Sequence, residues 1–185
     1  DIAITASGSP TVVAALSGGS TTITGTSITL DNGTIGGDLA LIATTGDIVG
    51  NGIIDVSGAI DLVASGNVGF GDLAAQGGGF TVDAGGDIAF NSATSAGPLE
   101  MTAGGAITAT DGVDSGDAVL LNGSSLSLGD VTSGTSITAN AIGGDASFGV
   151  VDAALDIAIT ASGSPTVLAA LSGGSTTITG TSITL

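Results

Sequence analysis

The sequence predicts an all-β chain: a parallel β-helix, or solenoid, of about 19 residues per coil with eight coils in each 155-residue unit. Three observations predict it. Residues 1–30 return almost unchanged as residues 156–185, differing only where Val13 is replaced by Leu168. A shorter register of 18 to 21 residues runs through the whole chain. Within each short period apolar and polar residues alternate at period two, the pattern of a half-buried strand and not of a helix.

The first strand of each coil starts at Ile2, Thr21, Leu39, Ile60, Phe80, Leu99, Val119, Ile137, Ile157 and Thr176. Two residues on come Ile4, Ile23, Leu41, Leu62, Val82, Met101, Leu121, Ala139, Ile159 and Ile178, all apolar. Two further on stands Ala or Gly without exception: Ala6, Gly25, Ala43, Ala64, Ala84, Ala103, Gly123, Ala141, Ala161 and Gly180. Alternation puts the three sites on one face, and the last is small because the chain turns a corner there.

A second strand follows the corner. Its inward candidates are Ile28 and Leu30, Val68 and Phe70, Ile88 and Phe90, Leu126 and Leu128, and Ala146 and Phe148. Phe70 and Phe90 share a site in adjacent coils and are expected to stack. The rest of each coil, as in DGVDSGD (111–117) and LDNGTIGGD (30–38), is richer in Asp and reads as a third short strand with variable turns. Helices are disfavoured by the abundance of Gly, Ser, Thr, Val and Ile. An antiparallel sandwich would leave the recurrence of the small corner residue unexplained. The chain is therefore one continuous segment, residues 1–185, holding one unit and thirty residues of the next copy; the restart predicts a longer natural protein.

Composition narrows the function. Of 185 residues 42% are hydrophobic, with 34 glycines, 17 acids and no Lys, Arg, His, Cys, Trp or Tyr, for a net charge of −17. No salt bridge between side chains can form, so cohesion comes from apolar burial and backbone hydrogen bonds. Nucleic acid is not expected as a partner, since phosphate contacts depend on Lys and Arg. No run of 18 apolar residues predicts a transmembrane segment.

Catalysis is not expected. β-Helix lyases need a Lys or Arg base, and a carboxylate-pair hydrolase needs two acids roughly 5 to 9.5 Å apart beside a sugar platform. This chain has no Trp or Tyr to stack a sugar. The Thr-rich phrase STTITGTSIT (20–29) suggests an ice-binding face. The outward sites Thr22, Ala40, Asp61, Thr81, Glu100, Leu120 and Thr138 are too mixed to favour one.

Two sets of acids are candidate sites. One turn position reads Asp47, Asn67, Asp87, Ala106, Ser125, Asp145 and Ser164 in successive coils. It is either a cation-binding ladder or a row of turn residues whose side chains bond their own backbone. Asp111, Asp114 and Asp117 form the densest acidic cluster. Oxygen-rich clusters suit Ca²⁺, yet the spacing lacks the regular calcium-loop pattern and its closing Glu, so a solvated turn is the competing reading.

The stretches GGDLALIATTGDIVGNGIIDVSGAIDLVASGNVGF (36–70) and GGDIAF (85–90) carry the phrase G-D-I, at 46–48 and 86–88, and the phrase A-S-G-N, at 64–67. In these the chain resembles the repeat shafts of filamentous-haemagglutinin-like adhesins, which are secreted by the two-partner route. The resemblance implies a right-handed β-helix, a place outside the cell or on its surface, and a structural role as the shaft of a long fibre. On this reading the shaft associates end to end, and divalent cations bridge shafts laterally into bundles. The alternative is an acidic module that binds calcium or an adhesion ligand.

Overall fold

The computed structural model describes the backbone of residues 1–185 and the side chains of all but residues 14–17. The protein is a β-solenoid: every strand is paired in parallel with its counterpart one coil away, and no helix occurs among the described residues. No described helix, accordingly, is long and apolar enough to cross a membrane.

One ten-stranded sheet stacks Ile2–Thr5, Thr21–Gly25, Leu39–Ala43, Ile60–Ala64, Phe80–Ala84, Leu99–Ala103, Val119–Gly123, Ile137–Ala141, Ile157–Ala161 and Thr176–Thr179 in chain order. Its registers follow the expected ladder, for example Leu39 opposite Ile60 and Phe80 opposite Leu99. The corner residues Ala43, Ala64, Ala84 and Ala141 are all buried. The strand alternation in Ile60–Ala64 is buried at Ile60, Leu62 and Ala64 and exposed between them.

The second sheet corrects one expectation. In seven coils the second and third strands are a single strand of seven to nine residues, such as Ile88–Ser95 and Leu126–Ser133. The bend between the two faces lies inside the strand: Phe90 points in, Asn91 and Ser92 both lie on the outer side, and Ala93 points in again. Two outward residues in succession turn the chain while the inter-coil ladder continues. Two coils do split into separate strands, Ile48–Val49 with Ile53–Val56 and Val68–Gly69 with Asp72–Ala75, where glycine-rich links Gly50–Asn51–Gly52 and Phe70–Gly71 interrupt pairing.

The core is one continuous apolar column. Ile54, Leu73, Ala93, Val113, Val131 and Val151 make a third inward ladder that the sequence pattern did not disclose. Phe70 stacks on Phe90 as expected, with centroids 6.5 Å apart and planes inclined by 23°. Phe80 adds an edge contact to Phe90 from the other sheet, at 5.8 Å and 75°.

The irregular coil lengths are absorbed locally. In Ile107–Ser115 the register to both neighbours slips by one residue after Ala109. The extra residue makes a β-bulge at Thr110–Asp111, closed by Gly112 at φ 110°, a conformation open to glycine and strained for other residues.

The two copies of the thirty-residue segment fold alike. Ile2 to Thr5 pair with Thr21 to Thr24, and Ile157 to Thr160 pair with Thr176 to Thr179 in the same register. Backbone bonds repeat as well: Ile2 N to Ser20 O and Ile157 N to Ser175 O, each 2.9 Å. Val13 and Leu168, the one difference, are 69% and 74% exposed, so the substitution falls where packing does not constrain it.

Candidate functional site

Polar chemistry sits along the turns and outer faces, and the acids there are engaged in a common way. Eleven of the seventeen accept a hydrogen bond from the next coil toward the C-terminus. The donor lies 18 to 21 residues ahead in every case.

The turn ladder shows the rule. Asn67 N–H donates to Asp47 Oδ1 at 2.6 Å, Asp87 N–H to Asn67 Oδ1 at 2.8 Å, and Ala106 N–H to Asp87 Oδ1 at 2.8 Å. Ser164 N–H repeats the bond to Asp145 at 2.7 Å. These are turn residues that staple adjacent coils. The side chain satisfies the neighbouring coil's backbone rather than its own, because parallel stacking brings that N–H closer than any local one. Asn67 also separates Asp47 from Asp87, which lie two coils, about 10 Å, apart at the usual strand spacing.

The same spacing governs the strands. No acid stands opposite another in any paired register: Asp61 faces Ala40 and Thr81, Glu100 faces Thr81 and Leu120, and Asp152 faces Thr132 and Leu171. Directly opposed like charges destabilise a sheet, and neutral intervening residues avoid that cost.

The cluster Asp111, Asp114 and Asp117 is divided between two places. Asp111 and Asp114 border a shallow depression with Ser92, Gly112, Asp130 and Thr132, created by the bulge. Within it Thr132 Oγ1 donates to Asp114 at 2.6 Å, and Val150 N–H donates to Asp130 at 2.8 Å. Asp117 is absent from that lining; it lies in the next turn, where it accepts from Thr135 Oγ1 at 3.2 Å. Among the described residues no group of three or more acids is close enough to hold a metal ion.

Sequence reasoning missed the buried serines Ser95, Ser115 and Ser133, which stack at the inward end of the third face. Ser115 Oγ donates to Gly97 O at 2.9 Å and Ser133 Oγ to Asp117 O at 2.6 Å. The same hydroxyls accept from Asp117 N–H and Thr135 N–H, each at 3.2 Å. They tie the third face to the turn leading into the next coil. Their signal in the sequence is a serine four positions before the first strands that start at Leu99, Val119 and Ile137, where other coils carry Ile35, Val56 or Ala153, legible once the register is known.

Two other depressions are free of ionisable groups. One is a notch lined by Val49, Gly50, Asn51, Gly69, Phe70, Gly71, Ala89 and Asn91. The other lies beside the Asn122–Asn140 amide pair, bonded at 2.8 Å, with the exposed Ile142 at its edge. The fold and these surfaces define a β-solenoid whose polar groups serve mainly inter-coil bonding. No family model, no curated protein and no solved structure matches the chain.

Proposed function

We propose that the chain is a structural shaft: a segment of a long extracellular or cell-surface fibre of the adhesin type, built from tandem 155-residue units and without catalytic activity. The observation that carries this reading is the shared strand register and backbone bonding of the two copies, eight coils apart. Ser9 Oγ lies 3.0 Å from Thr26 Oγ1, and Ser164 Oγ lies 3.3 Å from Thr181 Oγ1. Thr26 N–H donates to Gly8 O, and Thr181 N–H donates to Gly163 O. A unit that returns to its own register can be added repeatedly without new packing solutions, each addition lengthening the rod by about 38 Å at the usual strand spacing.

The placement outside the cell is supported by the resemblance of the G-D-I and A-S-G-N phrases to adhesin shafts. It also suits a chain with no Lys or Arg, which offers no trypsin-type cleavage site. The test is length against unit number. Chains of one, two and three units, imaged by negative stain or measured by small-angle scattering, are expected to lengthen by about 38 Å per unit at constant width. A maximum dimension that does not grow with unit number would overturn the reading.

A further inference from the structure

We propose that Asn51 is a site of self-modification: the backbone nitrogen of Gly52 displaces ammonia from the Asn51 carboxamide, and water opens the resulting succinimide to aspartate or isoaspartate. The reaction goes beyond the shaft reading and does not depend on it.

Three Asn-Gly pairs occur in the chain, at 32–33, 51–52 and 122–123. Glycine after asparagine leaves the attacking nitrogen unshielded, so by sequence alone the three are equivalent. The fold separates them. Asn32 and Gly33 lie inside the strand Ile28–Ile35, where Gly33 stands opposite Ile54. Asn122 and Gly123 lie inside Val119–Gly123, opposite Asn140 and Ala141. Both side chains are engaged as well: Ile53 N–H donates to Asn32 Oδ1 at 3.4 Å, and Asn140 Nδ2 donates to Asn122 Oδ1 at 2.8 Å. An extended strand stands each side chain off to one face while the backbone is held in the ladder, so neither nitrogen reaches the preceding Cγ without local opening.

Asn51–Gly52 is the pair outside the ladder. It lies in the link between Ile48–Val49 and Ile53–Val56, anchored by Gly50 N–H to Gly69 O at 2.9 Å and Asp72 N–H to Gly52 O at 3.3 Å. Between those anchors the Asn51 carboxamide and the Gly52 N–H make no hydrogen bond among the described residues, and Asn51 is exposed on the wall of the notch it shares with Gly69 and Gly71. Asn91, on the same notch, is followed by Ser92 inside the strand Ile88–Ser95. Glycine at 52 is imposed by stacking: a Cβ there would overlap Asn32 Oδ1 and the Asp31 carbonyl oxygen of the coil below. The packing that demands glycine thus leaves the reactive dipeptide in place.

The step needs only base and water. Hydroxide takes the Gly52 amide proton, the nitrogen bonds to Asn51 Cγ, and the Cγ–Nδ2 bond breaks as ammonia leaves with a proton from water, so nothing is oxidised or reduced. Water then adds to one of the two ring carbonyls. Opening at Cγ restores the ordinary peptide bond and leaves aspartate; opening at the Asn51 backbone carbonyl leaves isoaspartate, with one extra atom in the main chain. Ile48 and Ile54 on either side are fully buried and paired with Val68 and Leu73, so the link absorbs the change and the coil gains a negative charge.

The folded chain is held in mildly alkaline buffer and then digested with a protease that cuts at acidic or apolar residues, since it has no Lys or Arg. Fragments are read by mass spectrometry and by labelling with an isoaspartate-specific methyltransferase. The mass gained on exchange of the amide NH2 for OH, and the methyl label, are expected to accumulate at Asn51 at least about tenfold faster than at Asn32 or Asn122, whose strands must first open. In denaturant the three sites are expected to react at similar rates. Asn51→Gln, whose longer side chain closes the ring far more slowly, is expected to abolish the early signal and leave the circular dichroism unchanged. Equal rates at the three sites of the folded chain, or an Asn51 that stays intact over a period in which the unfolded chain reacts, overturns the proposal.

Discussion

The backbone N–H and the hydroxyl of Ser175 both donate to Oδ1 of Asp156, at 2.8 and 3.0 Å. The backbone bond first, and the hydroxyl second, hold the Asp156 carboxyl below the usual aspartate value against a slight opposing effect of burial. A depressed folded pKa means that the stabilisation is fully present above the unfolded value, about 3.9, and is lost as pH falls through the lower folded value. A carboxyl-detected NMR titration is expected to place Asp156 below the ordinary value, and Ser175→Ala to move it part of the way back. A midpoint at or above the ordinary value would contradict the bonding.

Thr21 occupies an inward site between Ile2 and Leu39, and its buried Oγ1 has no hydrogen-bond partner. A buried hydroxyl without a partner costs roughly 1 to 3 kcal/mol. Thr21→Val keeps the shape and removes the polar atom, so it is expected to raise unfolding free energy by about 1 kcal/mol. Denaturant melts of the two proteins measure this; a less stable Val variant would show that the hydroxyl is satisfied.

Leu121 is fully buried between Met101 and Ala139, while Asp61 on the outer face is exposed. Leu121→Asp is expected to cost several kcal/mol through an unpaired buried charge. Asp61→Ser is expected to stay within about 0.5 kcal/mol of the parent. Equal melting temperatures for the two variants would mean that the inward register is misassigned.

Gly112 closes the bulge at φ 110°, and a Cβ there would overlap the Asp130 carbonyl oxygen. Gly112→Ala combines backbone strain of about 1 to 3 kcal/mol with that clash. The expected outcome is a clear drop in melting temperature and altered amide shifts confined to the coils of Gly112 and Asp130. A neutral substitution would place the bulge elsewhere.

Sixteen of the seventeen acids lie within residues 31–185, one full unit. Over about 38 Å of rise that is one charge per roughly 2.4 Å, approaching the density of duplex DNA, about one per 1.7 Å. Shafts are expected to repel one another in dilute salt, where screening extends about 30 Å, and much less at 0.15 M, where it extends about 8 Å. Light scattering across a calcium titration is expected to show dispersed rods with chelator and lateral bundles in millimolar Ca²⁺. Bundling that ignores both calcium and ionic strength would place the lateral contacts away from the acids.

The amino-acid sequence by itself determined the coil period, the apolar ladder of the first strand, the small residue at the first corner and the Phe70–Phe90 stack. These are legible because each is a pattern along one coil that repeats in the next. The sequence also drew attention to Asp47, Asp87, Asp111, Asp114 and Asp117, without saying what each would bond. Tertiary structure decided that. Asp47 meets Asn67 N–H, Asp114 meets Thr132, and Asp117 meets Thr135, each a partner 18 to 20 residues away whose alignment depends on the step between two particular coils. The bend at Asn91 and Ser92, the bulge at Thr110–Asp111 and the buried serines share that dependence. The physical reason is that stacking joins residues across coils of unequal length. A one-residue change in step redirects a side chain, and only the packed neighbour fixes where the extra residue is absorbed.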